Sequence, residues 1–91
     1  MHTILSLDLN KEVSSTKRQH MYNELEKLEW KKFPAVTTLW SCAWKEGSTA
    51  DQCISSVENE VAKAATIAGV VKYDATVIVT SSKPIADTWK V

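Results

Sequence analysis

The sequence predicts an α+β fold: four strands and two helices in the order βαββαβ, with both helices on one face of an antiparallel sheet. Three observations predict it. Two stretches with helical spacing of apolar side chains alternate with runs rich in β-forming residues. Each helical stretch opens on a hydroxyl residue with a glutamine three positions on. The run between the helices is long enough for two strands and is interrupted by Pro34.

Strand one is expected over Thr3 to Leu9, where Leu5, Leu7 and Leu9 alternate with Ile4, Ser6 and Asp8. Asn10 to Ser15 reads as a turn. Thr16 with Gln19 reads as a capping box, and Met21, Leu25 and Leu28 form the apolar stripe of a helix ending near Glu29. Trp30 to Phe33 is a short extended piece. Val36 to Trp44 then places Val36, Thr38, Trp40, Cys42 and Trp44 on one face, with Thr37, Leu39, Ser41 and Ala43 on the other.

Lys45 to Gly47 is a turn. Thr49 with Gln52 caps a second helix, whose buried side is expected to hold Ile54, Val57, Val61, Ala64, Ala65 and Ala68, with Gly69 as its stop. Tyr73 to Thr80 is the last strand, with Val77 to Val79 apolar on both faces. Ser81 to Pro84 turns, and Ile85 to Val91 is a short tail or an additional edge strand. The whole, residues 1–91, is one ferredoxin-like domain.

A chain of 91 residues buries only about 60–65% of its unfolded surface and is marginal without help. The sheet face without helices is expected to carry Ser6, Trp40 and Trp44, an apolar patch that asks for a partner. A homodimer is the simplest one. A protein partner or RNA is the alternative, since aromatics on an open sheet can stack bases. The glycine–aromatic core of RNA-recognition motifs is absent.

Eleven cations balance eleven anions, and Arg18 is the only arginine, which argues against strong sequence-independent nucleic-acid binding. No apolar run reaches the length of a membrane span, and the N-terminal residues lack the layout of a signal peptide. Cys42 and Cys53 have no CxxC or Cys/His zinc spacing and read as reduced, buried thiols, which points to the cytoplasm. Walker-type glycine loops, G-x-S-x-G and H-E-x-x-H are all absent.

The residues that stand out for chemistry are few. Asp8 ends the first strand, where a carboxylate is a hard ligand for Mg²⁺ or a residue of an Asx turn. No second carboxylate flanks it. Lys11, Lys17, Arg18 and His20 cluster around the first turn and helix as a phosphate-facing patch or a solvated helix face, and Lys31 and Lys32 extend that patch or protect a strand edge. His20 is a candidate acid/base.

Ile4 to Asn10 (ILSLDLN) and Thr37 to Trp44 (TTLWSCAW), within this order of elements, resemble the Cas2-like superfamily. That group includes CRISPR-associated spacer-acquisition proteins, VapD ribonucleases and GhoS-type antitoxins. The resemblance implies a dimer in which Asp8 of each chain faces the other and the pair holds Mg²⁺ or Mn²⁺ for phosphodiester cleavage in RNA or DNA. It equally admits a non-catalytic antitoxin, regulator or phage-encoded inhibitor on the same scaffold.

Overall fold

A computed structural model of the chain describes residues 1–34, 38–85, 87 and 89. Its elements are β1 (His2–Leu9), α1 (Ser15–Lys27), β2 (Lys31–Lys32), β3 (Leu39–Ala43), α2 (Ala50–Ala68) and β4 (Tyr73–Thr80). The strands form one antiparallel sheet in the order β2-β3-β1-β4. This is the ferredoxin-like arrangement, with the two outer connections made by the helices.

β1 lies at the centre because it is the most apolar strand on its core side. Leu5 and Leu7 are each 1% exposed there, and Leu9 joins them. Its other face, Ile4, Ser6 and Asp8, is open to different degrees. The core is completed by Met21, Tyr22 and Leu25 of α1 and by Val57, Val61, Ala64, Ala65 and Ala68 of α2. Cys53, rather than Ile54, leads the buried stripe of α2, and Ile54 is half-buried. The alanines let α2 pack closely against α1 and the sheet.

The caps explain where the helices stop. Thr49 and Gln52 form the full reciprocal box expected, with bonds of 2.9 and 3.2 Å. Gly69 closes α2 in the left-handed region at φ 76°. The first helix differs from expectation: its cap is Ser14, whose hydroxyl accepts from the Lys17 amide at 3.2 Å. Gln19 instead donates to Asn23 one turn along, so Thr16 and Gln19 make no capping box. Ser14, Ser15 and Thr16 are three consecutive hydroxyl residues, and the one on the extended backbone takes the role.

α1 ends at Lys27. Glu29 and Trp30 then donate their amides to Glu26 and Leu25, the paired bonds of a Schellman turn. Glu29 has φ 70°, the only non-glycine with positive φ among the described residues. The turn aims Trp30 into the core, where its indole donates to Glu60 on α2 at 3.2 Å and its ring meets Trp44 edge-on at 6.1 Å.

The expected aromatic open face is not there. Trp40 is 0% exposed and sits under the helices, its ring 5.3 Å from Tyr22. Trp44 is half-buried on the same side, and its indole donates to the hydroxyl of buried Thr3 at 2.7 Å. The grouping of Trp40, Cys42 and Trp44 on one face holds, but that face is the covered one. The large side chains fill the space beneath the helices, and Leu39, Ser41 and Ala43 face outward. β3 begins at Leu39, and the expected strand residues Val36 and Thr37 lie outside the described residues. So do 86, 88, 90 and 91 of the expected tail or edge strand; Ile85 and Trp89 are exposed and not in a strand.

Candidate functional site

The register of β1 with β4 brings together what the sequence separates. Asp8 at the end of β1 lies directly opposite Asp74 at the start of β4. Directly opposed residues in an antiparallel pair share a face and hold their Cβ atoms about 4.5–5.5 Å apart. Both aspartates are exposed on the open face. The second carboxylate that Asp8 lacks among its sequence neighbours comes from the far end of the same chain.

Toward the middle of the sheet the same face runs on through Ser6 and Thr76, then Ile4 and Ile78, then His2 and Thr80, each pair opposed across β1 and β4. Leu39, Ser41 and Ala43 of β3 flank them. Ile78 is 55% exposed. The open face therefore has two parts: an acidic corner at Asp8 and Asp74, and an apolar centre around Ile4, Ile78 and Leu39.

The acidic corner borders a shallow hollow of about 390 Å³ lined by Asp8, Asn10, Val71, Lys72, Tyr73 and Asp74. A neighbouring hollow of about 310 Å³ shares Asn10, Val71 and Lys72 and adds Lys17 and Gly69. Asn10 organises the turn between them. Its side-chain oxygen accepts from the Glu12 amide at 2.9 Å, and its carbonyl accepts from the Val13 amide and from Arg18 at 3.4 Å. The Asx turn weighed for Asp8 belongs to Asn10.

Of the expected phosphate-facing residues, the structure brings Lys17 to the rim of the second hollow, where its stem lies along Gly69. Arg18 is tied to the turn through Asn10. Lys11 is exposed in the turn itself. His20 is not part of the group. It projects from α1, on the covered side of the sheet, and its Nε2 is 3.5 Å from Glu24. Glu24 also binds Lys27 at 3.0 Å, and that lysine, followed by His20, holds the Glu24 carboxyl below the usual range. Lys32 lies over the Tyr22 ring at 4.9 Å, away from the acidic corner.

Lys72 and Asp74 were not singled out by the sequence. The usable signal for Asp74 was positional. In a βαββαβ sheet the first and last strands are antiparallel neighbours, so a polar residue at the end of one meets a polar residue at the start of the other.

Other groups offer little chemistry. Cys42 and Cys53 are free and buried. Burial, helped by the nearby Glu60 and Glu29 carboxylates, pushes the Cys42 thiol up to about 11, so it stays protonated and unreactive. Burial also raises Glu60, against the Trp30 hydrogen bond and Lys63, which lower it. Among the described residues no group of three or more His, Cys, Asp or Glu side chains is placed to hold a metal, and no helix is long and apolar enough to cross a membrane.

No protein-family model, curated protein or solved structure matches the chain.

Proposed function

We propose that this chain is a metal-assisted phosphodiesterase acting on RNA, as its resemblance to Cas2-like and GhoS-like proteins implies. In this reading Asp8 and Asp74 together form the carboxylate pair of the site. The observation that carries the reading is their direct opposition across β1 and β4. Like charges placed opposite each other on a sheet are destabilising, and two exposed carboxylates at this spacing suit a hard cation. Mg²⁺ is usually bound through one or two carboxylates with substrate phosphates completing the shell. The donor set therefore fits Mg²⁺ or Mn²⁺ without a third protein ligand.

When bound, such an ion supplies Lewis-acid polarisation of a phosphoryl oxygen and a more acidic bound water. The chain's own residues do the rest. Asp8 and Asp74 would hold that ion on the open face, where the reacting phosphate meets it. Lys72 beside them, and Lys17 across the rim, hold the neighbouring backbone phosphates. Asn10 keeps the turn rigid through its bonds to Glu12 and Arg18. The resemblance supplies the second carboxylate from a partner chain, whereas here Asp74 supplies it within one chain.

The test is cleavage of labelled single-stranded RNA with and without Mn²⁺. Activity that needs the ion and is lost in both Asp8→Asn and Asp74→Asn, each shown to be folded, supports the reading. Cleavage that survives either substitution would remove that residue from the site.

A second reading is favoured by a separate observation, the apolar centre of the open face, where Ile78 is exposed and Ile4 and Leu39 are half-buried. In it the chain is a non-catalytic interaction module in the cytoplasm, such as an antitoxin, regulator or inhibitor, and the open face docks another protein. Ile78→Glu then abolishes partner binding while Asp8→Asn leaves it intact. Under the phosphodiesterase reading Asp8→Asn abolishes RNA cleavage and Ile78→Glu leaves it intact.

A further inference from the structure

The two margins of the sheet are built differently. β2 has two residues, both lysine, and Pro34 follows closely. Shortness, lysine and proline are what keep a strand edge from pairing. β4, at the opposite margin, has eight residues with no lysine or proline and an unbroken ladder to β1. Its outer row of backbone N–H and C=O groups points away from β1. The helix layer also stops short of it. Leu5 and Leu7 are covered, yet their direct neighbours on the same face, Val77 and Ala75, are half-buried and exposed. An edge that pairs with no further strand among the described residues, with partly uncovered apolar side chains on its core side, is suited to continue into a larger sheet.

We propose that β4 pairs antiparallel with β4 of a second copy about a two-fold axis through Val77, joining two four-stranded sheets into one of eight strands. The register follows from parity and from the chemistry of the opposed residues. Opposed residues share a face, so with both helix layers on one side the axis must pass through a residue and not between two. An axis at Thr76 sets Asp74 against the partner's Ile78. An axis at Val77 sets Asp74 against the partner's Thr80, a hydroxyl, and sets Ala75 against the partner's Val79. Both arrangements join core-side residues of the two copies, and the second alone gives the Asp74 carboxylate a hydroxyl instead of an apolar side chain to face. A chain with equal numbers of acidic and basic residues adds no net repulsion between copies.

One consequence reaches the site. Thr80 lies opposite His2 within the chain, so this register extends the row Asp8, Asp74 with the partner's Thr80 and then the partner's His2. The imidazole stands two strand spacings, about 9–10 Å, from Asp74. The pairing rests on the ladder alone, and only the use of this row rests on the phosphodiesterase reading.

The test needs no activity. Light scattering during gel filtration is expected to give twice the 10.2 kDa chain mass for the wild type. Ala75→Lys, at an exposed position, halves that mass without changing the circular dichroism. Val77→Cys forms an intermolecular disulfide on oxidation because residue 77 meets itself, whereas Thr66→Cys on the outer side of α2 does not. Deletion of residues 85–91 leaves the dimer intact. A wild type of single chain mass overturns the pairing. So does a dimer that persists in Ala75→Lys, or one lost with the tail. RNA cleavage by a monomer would leave the phosphodiesterase reading standing while removing this one.

Discussion

If Asp8 and Asp74 face each other as the ladder places them, neutralising either should stabilise the protein and neutralising the second should add almost nothing. Two unit charges about 5 Å apart at an effective dielectric of 40–80 repel by roughly 0.8–1.7 kcal/mol. Salt at physiological strength, with a screening length of about 8 Å, cuts this to about 0.4–0.9 kcal/mol. That range is of the same size as the roughly 0.2–1 kcal/mol that favourable cross-strand pairs contribute, with the sign reversed for like charges. Asp8→Asn or Asp74→Asn alone is therefore expected to raise stability by about 0.5 kcal/mol, roughly 2–4 °C in Tm for a domain of this size. The double variant should match the singles, giving a coupling energy of the same size in a double-mutant cycle. The assay is urea denaturation of all four proteins at low and at high salt. High salt should shrink the coupling. Additive effects, or a coupling indifferent to salt, would refute the placement of the pair and with it the proposed site.

Three other perturbations test the surrounding architecture. The Glu60 carboxyl is raised in the folded state by burial, so the folded protein binds more protons than the unfolded chain just above pH 4.5 and stability falls as pH rises through that window. Glu60→Gln keeps an oxygen for the Trp30 indole and should flatten that decline, read as urea midpoints at pH 4 and pH 7. Thr3→Val keeps the shape of a fully buried side chain but leaves the Trp44 indole N–H without its 2.7 Å acceptor. A loss of about 1–3 kcal/mol is expected, with Thr3→Ser retaining most of the difference; a change under about 0.5 kcal/mol would show that water replaces the hydroxyl freely. Glu29→Gly relieves a left-handed residue at φ 70° and should stabilise by about 0.5–1 kcal/mol, measured as a rise in Tm.

Local signals made most of the fold legible. The alternation in β1, the Thr49–Gln52 box, Gly69 and the last strand are all written in residues a few positions apart, and each stands where it was expected. What required distance in the chain was less accessible. Trp40, Cys42 and Trp44 could be grouped on one face by their period of two, but that period does not say which face the helices cover. Their bulk was the better guide, because the opposite set, Leu39, Ser41 and Ala43, is too small to fill the space under two helices. The start of α1 was blurred because three adjacent hydroxyl residues can each cap, and only backbone geometry chooses Ser14. Asp74 shows the limit most clearly. Its meaning depends on a partner 66 positions away, set by the β1–β4 register, and Asp74 itself carries no motif.

In the proposed reading Asp8 and Asp74 hold one divalent cation together. Titrating Mn²⁺ into ¹⁵N-labelled protein tests it most directly, because the paramagnetic ion broadens amide signals near where it binds. Signals of residues 7–9 and 73–75 are expected to fade first and together, and Asp74→Asn to abolish the fading at both segments. Broadening spread evenly over exposed carboxylates such as Glu46 and Glu58, or fading at Asp8 that survives in Asp74→Asn, would contradict it.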